Sequence, residues 1–259
     1  MIRFKSLGSG STGNAAIVEV AGHQPARLLV DCGFGLKHLV TRLAAANLQP
    51  HQLDAIFITH EHGDHIGCAA ALALRFELPI WMSSGTYAAI GSPELGNKLH
   101  IAQDGEAINV KGLTVMPFTV PHDAREPLQL SCTNGQTKIG ILTDLGHATD
   151  HVLHHLEGCS TLVLECNHDA ELLANSSYPE FLKRRVGGPY GHLSNDSAAN
   201  IASAVHHNGL KKIVAAHLSL QNNTPALAKS CLMNALNLPW PADEIVLTNA
   251  ASGCDWVLA

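Results

Sequence analysis

Thr59-His60-Glu61-His62-Gly63-Asp64-His65 sets four potential metal ligands, His60, His62, Asp64 and His65, within six positions. The segment before it, Leu53-Asp54-Ala55-Ile56-Phe57-Ile58-Thr59, has the length and β-branched content of a buried strand, and Ile66 to Phe76 reads as a helix. The ligands therefore fall at a strand-to-helix junction. His60 and His62, two positions apart, project to the same side of an extended or turning segment, with Asp64 and His65 one turn further on. That geometry can feed two metal ions. Imidazole nitrogen and carboxylate oxygen suit borderline metals such as zinc, whose catalytic sites keep one position open for water. With 17 histidines in the chain, a lone histidine pair would carry little weight. Four ligand types in this order behind an apolar strand carry much more.

A dinuclear site needs further ligands, and these stand at the ends of later apolar segments. Leu113 to Val120 reads as a strand and leads into Pro121-His122-Asp123, which makes His122 the third imidazole for a first ion. Lys138 to Leu142 is a strand ending at Thr143-Asp144, and Asp144 could bridge both ions through its two oxygens. Lys212 to Ala216 ends at His217, an imidazole able to complete the second site. The pattern predicts a dinuclear metallohydrolase.

Composition sets the frame. A chain of 259 residues that is 46% hydrophobic can bury a large core, and with no linker, repeat or low-complexity tract it reads as one α/β domain, 1–259. The expected loops, 91–98, 121–127 and 186–196, are short. The N-terminus opens into an apparent strand, Met1 to Leu7, and no apolar run reaches membrane-spanning length, so the expectation is a soluble cytoplasmic protein with no membrane partner. Seven cysteines without a Cys-x-x-Cys pair fit a reduced compartment and a role as small core residues. A net charge of −6 argues against nonspecific coating of nucleic acid. It leaves room for a nuclease, because bound divalent cations place positive charge where a phosphodiester would sit.

The motif His60-x-His62-x-Asp64-His65, followed by His122, Asp144 and His217, resembles the ligand series of the metallo-β-lactamase superfamily, and the likeness runs over essentially the whole chain. It implies a four-layer αββα sandwich with the metals at one edge between two sheets. It also implies a supporting role for Asp31, in Leu28-Leu29-Val30-Asp31-Cys32-Gly33, behind a ligand histidine rather than on the metal. Superfamily likeness does not name a substrate. The commonest true β-lactamases place a cysteine at the second metal and lack the bridging aspartate, whereas Asp144 is present here. Thioesterases of the glyoxalase II type share the seven ligands, but they place the last histidine soon after that aspartate.

Here the interval between Asp144 and His217 is long, and it contains Gly191-His192-Leu193-Ser194 before a helix expected over Asn195 to His207, with Ser194 or Asn195 as its N-cap. This resembles the nuclease branch that includes RNase Z, in which His192 would protonate the leaving oxygen and His217 would be the ligand. The two tetrapeptides Gly-His-Leu-Ser and Ala-His-Leu-Ser are nearly alike, so the roles of His192 and His217 could be exchanged. A narrower resemblance, to the YycJ/WalJ family, lies in Leu7-Gly8-Ser9-Gly10-Ser11-Thr12-Gly13-Asn14, in Glu165-Cys166-Asn167-His168-Asp169, and in Gly191 to Asn195 with Ala216 to Ser219. Members of that family are regarded as metal-dependent DNA exonucleases acting from the 5′ end. The resemblance places Ser11 and Asn14 near the metal edge as substrate contacts. It leaves His168 either a substrate contact or a helix-start residue.

The implied reaction is phosphodiester hydrolysis with two divalent ions, zinc or manganese with iron as a further option, and hydroxide between the ions as nucleophile. Asp64 or Asp144 would orient it, and His192 would act as general acid. Lys183, Arg184, Arg185, Lys211 and Lys212 are candidates for contact with the nucleic-acid backbone or plain solvated helix ends. The rival classes are a glyoxalase II-like thioesterase or other small-molecule metallohydrolase, and a non-catalytic metal-binding regulatory protein. No amphipathic seam in the sequence assigns an oligomeric state.

Overall fold

The chain begins with an antiparallel meander, β1 (Ile2–Gly8), β2 (Ala15–Val20) and β3 (Ala26–Val30). It then alternates helix and strand through α1 (Leu36–Ala45), β4 (Ala55–Phe57), α2 (Gly63–Ile66), α3 (Ala69–Phe76), β5 (Ile80–Met82), α4 (Ser84–Ala89) and β6 (Leu99–Ile101). Strands β3 to β6 pair in parallel. The second half repeats the plan. An antiparallel run, β7 (Ile108–Val110), β8 (Leu113–Thr119), β9 (Leu128–Thr133) and β10 (Lys138–Leu142), gives way to parallel pairing with β11 (Thr161–Glu165), β12 (Lys212–Ala216) and β13 (Ile245–Leu247). Helices α5 (Asp150–Leu156), α6 (Ala170–Asn175), α7 (Glu180–Val186), α8 (Asn195–Ala204) and α9 (Pro225–Ala235) fill the crossovers, and β14 (Val257–Leu258) returns to pair with β1. This computed structural model describes residues 1–236 and 241–259.

Among the described residues two seven-stranded sheets result, in the orders β14-β1-β2-β3-β4-β5-β6 and β13-β12-β11-β10-β9-β8-β7. The strand sequences explain why they stack between helices. In β3, Leu28 and Val30 enter one apolar core while Leu29 enters another. In β11, Val163 faces the first of these cores and Leu162 with Leu164 a third. Strands apolar on both faces need cover on both faces. The shared core joins Phe4, Val18 and Phe57 of the first sheet to Val115, Leu130 and Val214 of the second. Leu39, Leu43 and Leu72 of α1 and α3 cover the outer face of one sheet, and Val152, Ile201 and Leu232 of α5, α8 and α9 cover that of the other. The layers are therefore α, β, β, α, as the motif led one to expect.

Several boundaries differ from the sequence reading. The strand expected over 53–59 spans only Ala55–Phe57, although Ile58 N still donates to Trp81 O of β5 at 2.8 Å. The helix expected over 66–76 is split: α2 already holds Gly63 to Ile66, and Gly67 breaks it with φ 27° beside the Cys32 carbonyl, where a Cβ would come within 2.3 Å of the oxygen. The helix expected to reach His207 ends at Ala204. Among the described residues no helix is long and apolar enough to cross a membrane.

Leu29 is fully buried on the central β3. Truncating it to alanine should cost roughly 2–5 kcal/mol of stability, the range for a buried leucine. A urea titration should show that loss as a lowered midpoint with an unchanged slope; an unshifted midpoint would mean the helix layer does not pack on this face as described.

Candidate metal centre

Three strands deliver site residues in the same backbone conformation. β3 is followed by Asp31 (φ 61°), β10 leads through Thr143 to Asp144 (φ 58°), and β12 is followed by His217 (φ 55°). The left-handed region is uncommon for residues other than glycine, though Asp and His enter it more readily than most, and it costs of order 1–3 kcal/mol where the surroundings impose it. Each such turn swings a side chain off the carboxyl end of its strand into the edge between the sheets. Backbone hydrogen bonds hold the ligand turn to the same edge: Asn14 N donates to Asp64 O at 2.8 Å and Cys32 N to His65 O at 2.7 Å. Gly33 permits this approach, since a Cβ there would lie 1.7 Å from the Asp64 carbonyl oxygen.

The first cluster is His60, His62 and His122. His60 Nδ1 lies 3.0 Å from Thr59 Oγ1, and His122 Nδ1 donates to Gly191 O at 3.0 Å. Thr59 Oγ1 is in turn committed to Asp31, at 3.0 Å from both carboxylate oxygens, so His60 Nδ1 must supply the proton between them. Both rings are thus left with a lone pair on Nε2. Those two nitrogens converge on His62 Nδ1, at 3.1 and 3.3 Å. Three acceptor nitrogens so close together are satisfied only by a proton or a cation, and an imidazole whose other nitrogen is engaged this way is the usual metal ligand.

The second cluster is Asp64, His65 and His217. The Asp64 Oδ2 atom lies 3.7 Å from both His65 Nε2 and His217 Nε2, and His217 Nε2 is buried with no hydrogen-bond partner among the described residues. Asp31 Oδ2 takes the Nδ1 proton of His65 at 2.8 Å. Asp144 stands between the clusters, grouped with His60 and His65, its Oδ2 2.9 Å from His65 Nε2 and its Oδ1 3.0 Å from His217 Nδ1. An orphaned buried nitrogen, two sets of convergent imidazole and carboxylate donors, and outer partners that fix the ring tautomers suit divalent metal ions.

The sequence reading missed one member. Glu165, fully buried at the end of β11, accepts from His192 Nδ1 and from His217 Nδ1, both at 2.9 Å through the same oxygen, and from Leu193 N through the other at 3.1 Å. The signal was a carboxylate closing an apolar strand, as Asp31 does. With only the chain's own groups present, burial works against every charge here, yet the neighbours outweigh it. Glu165 falls to about 2 beside His192 and His217, and Asp144 is driven well below the usual carboxylate range by His217 and His65. Burial pulls His217 down, but Asp144, Asp64 and Glu165 hold it at about 9, and Asp144 with Asp31 keeps His65 well above normal. His192 is likewise raised against its burial by Glu165 and Asp144. His60 goes the other way, lowered by burial and by His65.

A cavity of about 380 Å³ opens beside the second cluster, with Ser11, Asp64, Arg185, His192, His217 and Asn222 among its lining. Ser11 is on its wall. Asn14 is not, but its amide nitrogen sits 3.0 Å from His65 Nε2 and 3.3 Å from Asp64 Oδ2. His168 is buried outside the cavity; its carbonyl accepts from Asn195 N, so its place is at the start of α6, tied to the start of α8. Of the basic residues singled out, Arg185 lines the cavity while engaged to Asp123 at 2.5 Å, Lys183 is turned to Ala174 O and Glu180, and Arg184 is exposed. Lys211 and Lys212 do not belong to this surface. Lys212 begins β12 and pairs with Glu244, and Lys211 bonds Asn208 O, at the opposite end of the strand from His217.

A family model described as a beta-lactamase superfamily domain matches residues 26–218. The chain is 34% identical over 239 residues to exodeoxyribonuclease YycJ of Bacillus anthracis, covering 91% of this chain and 89% of that one. It is 33% identical over 239 residues to exodeoxyribonuclease WalJ of Streptococcus pneumoniae serotype 2, covering 90% and 88%. Its fold matches that of the metallo-β-lactamase fold protein YhfI from Bacillus subtilis with a TM-score of 0.77, over 99% of this chain and 98% of that one, at 17% identity. The chain belongs to the metallo-β-lactamase superfamily of metal-dependent hydrolases, within its YycJ/WalJ family.

Proposed function

We propose that the protein is a dinuclear phosphodiesterase that shortens DNA from the 5′ end. The observation that carries this reading is the division of labour around Glu165: the carboxylate grips His192 and His217 alike, yet the His217 side chain is 3% exposed and turns its remaining nitrogen toward Asp64 and His65, while that of His192 is 23% exposed on the cavity wall. One histidine completes a ligand set and the other is free to meet substrate. The relatives that cover most of this chain are named exodeoxyribonucleases, which favours DNA over a thioester.

In this reading His60, His62 and His122 would hold one ion, Asp64, His65 and His217 would hold the other, and Asp144 would serve both; Asp31 and Glu165 orient rings from behind. Bound there, divalent ions of zinc or manganese would supply positive charge for the phosphoryl oxygens and acidify the attacking water. The chain supplies the rest. Asp64, at the cavity wall, accepts a hydrogen bond from that water and aims it. His192, kept protonated by Glu165 and Asp144, donates its Nε2 proton to the departing oxygen. Leu145 N donates to Glu165 at 3.3 Å, so the carboxylate has no freedom to swing away from the two rings.

Three outcomes are expected. With manganese or zinc, DNA labelled at the 5′ end should lose its label as mononucleotide before DNA labelled at the 3′ end does, and Asp64→Ala should abolish this; cleavage of RNA or a glutathione thioester in preference to DNA would refute the substrate assignment. His192→Ala should lower kcat by roughly 10²–10⁴, the usual worth of a general acid, with full metal content, whereas His217→Ala should lose bound metal by elemental analysis; the reverse pattern would exchange the two roles. Because His217 carries a proton up to about pH 9 in the metal-free chain, zinc must displace it. Apparent affinity should therefore rise with pH up to about 9, and calorimetry in two buffers of different ionisation enthalpy should show proton release. Heats independent of buffer would contradict the assignment of His217 as a ligand.

A further inference from the structure

Five asparagines are buried in the described residues, and four have an evident structural duty. Asn14 closes the β1–β2 loop onto Asp64, Asn167 donates to His217 O, and Asn195 and Asn223 bond each other. Asn222 is the exception. It is 1% exposed, yet neither its Oδ1 nor its Nδ2 has a hydrogen-bond partner among the described residues. Its main chain, by contrast, is fixed on both sides: Asn222 N donates to Ser219 Oγ at 3.1 Å, and Asn222 O accepts from Asp169 N at 2.8 Å. The backbone is clamped and the carboxamide is left unsatisfied. A buried polar group without a partner costs about 1–3 kcal/mol, and both ends of this amide bear that cost.

Asn222 is among the residues that line the cavity beside the metal centre, together with Tyr178, Leu182 and Val186. The cavity is about 380 Å³, near the lower end of the ~300–1,000 Å³ range of small-molecule pockets, which is room for one nucleotide unit. A carboxamide presents a donor and an acceptor side by side. A terminal phosphate offers acceptors alone and would leave Oδ1 orphaned, and the one arginine on the cavity wall is already engaged by Asp123. A nucleobase edge or a sugar hydroxyl offers both donor and acceptor, and the aromatic and aliphatic lining suits a flat base.

We propose that this cavity binds the terminal nucleoside of the substrate strand, with the Asn222 carboxamide pairing with the donor and acceptor groups of that nucleoside. The assignment rests on the phosphodiesterase reading, and it makes Asn222 a specificity-determining residue outside the metal ligands.

Calorimetric titration of the metal-loaded protein with a deoxynucleoside monophosphate and, separately, with inorganic phosphate tests this apart from turnover. Asn222→Ala should weaken nucleoside monophosphate binding about tenfold, the loss of about 1.4 kcal/mol expected when a buried hydrogen-bonding pair is removed, and by clearly more than it weakens phosphate binding. Asn222→Asp, which keeps the shape and loses the donor, serves if the alanine variant fails to fold, and should show the same differential. Equal losses for both ligands, or no loss for either, would overturn the proposal. Hydrolysis of bis(p-nitrophenyl) phosphate, a diester without a nucleoside, by the wild type reports on the parent reading separately: no hydrolysis defeats the phosphodiesterase, and hydrolysis with equal binding losses defeats only the nucleoside pocket.

Discussion

Three carboxylates, Asp31, Asp144 and Glu165, are buried where the edges of the two sheets meet, and among the described residues none has a lysine or arginine beside it. An uncompensated buried carboxylate costs several kcal/mol. Elsewhere the fold solves this conventionally, seating Glu19 between Arg3 and Arg27 at 2.6 and 2.7 Å. At the site only imidazoles are available. They balance the carboxylates by taking up protons, so His65, His192 and His217 are raised and Asp144 and Glu165 lowered. Divalent cations answer the same need with greater charge, and the geometry that satisfies one satisfies the other. The site's electrostatics and its ligand chemistry are one constraint seen in two protonation states.

That constraint reaches into the backbone. Asp31, Asp144 and His217 take left-handed conformations at the ends of their strands, and nearby glycines make room for the chain to close around them. Gly191 is an example: a Cβ would fall 2.1 Å from the Arg185 carbonyl, at the turn where His192 N bonds Val186 O and His192 is set against Glu165. Strain at these positions persists because the three apolar layers hold the strand ends in register. The stable part of the molecule thus maintains a costly part.

Much of this was legible in the sequence because it is local. The strand Lys138–Leu142 and the strand Lys212–Ala216 stand where their apolar runs place them, each followed by a site residue. The His60 to His65 run could be read because its members are neighbours in the chain. Glu165 could not, since its meaning depends on β11 lying parallel between β10 and β12, which sets its carboxylate against two histidines 27 and 52 positions away. Asn222 was equally silent; a polar residue in a polar loop becomes informative only when both its side-chain atoms prove buried and unpaired. Lys212 shows the reverse: it stands five positions before His217 in the chain, yet a whole strand, rising about 3.3 Å per residue, separates them.

The central claim is that the paired imidazole and carboxylate clusters form a two-ion centre, and anomalous diffraction from crystals of the manganese- or zinc-loaded protein tests it most directly. The account predicts two strong peaks, one among His60, His62 and His122 and one among Asp64, His65 and His217, with Asp144 reaching both. A single peak, or metal bound instead at the Asp104, His151 and His155 group with the buried clusters empty, would contradict it.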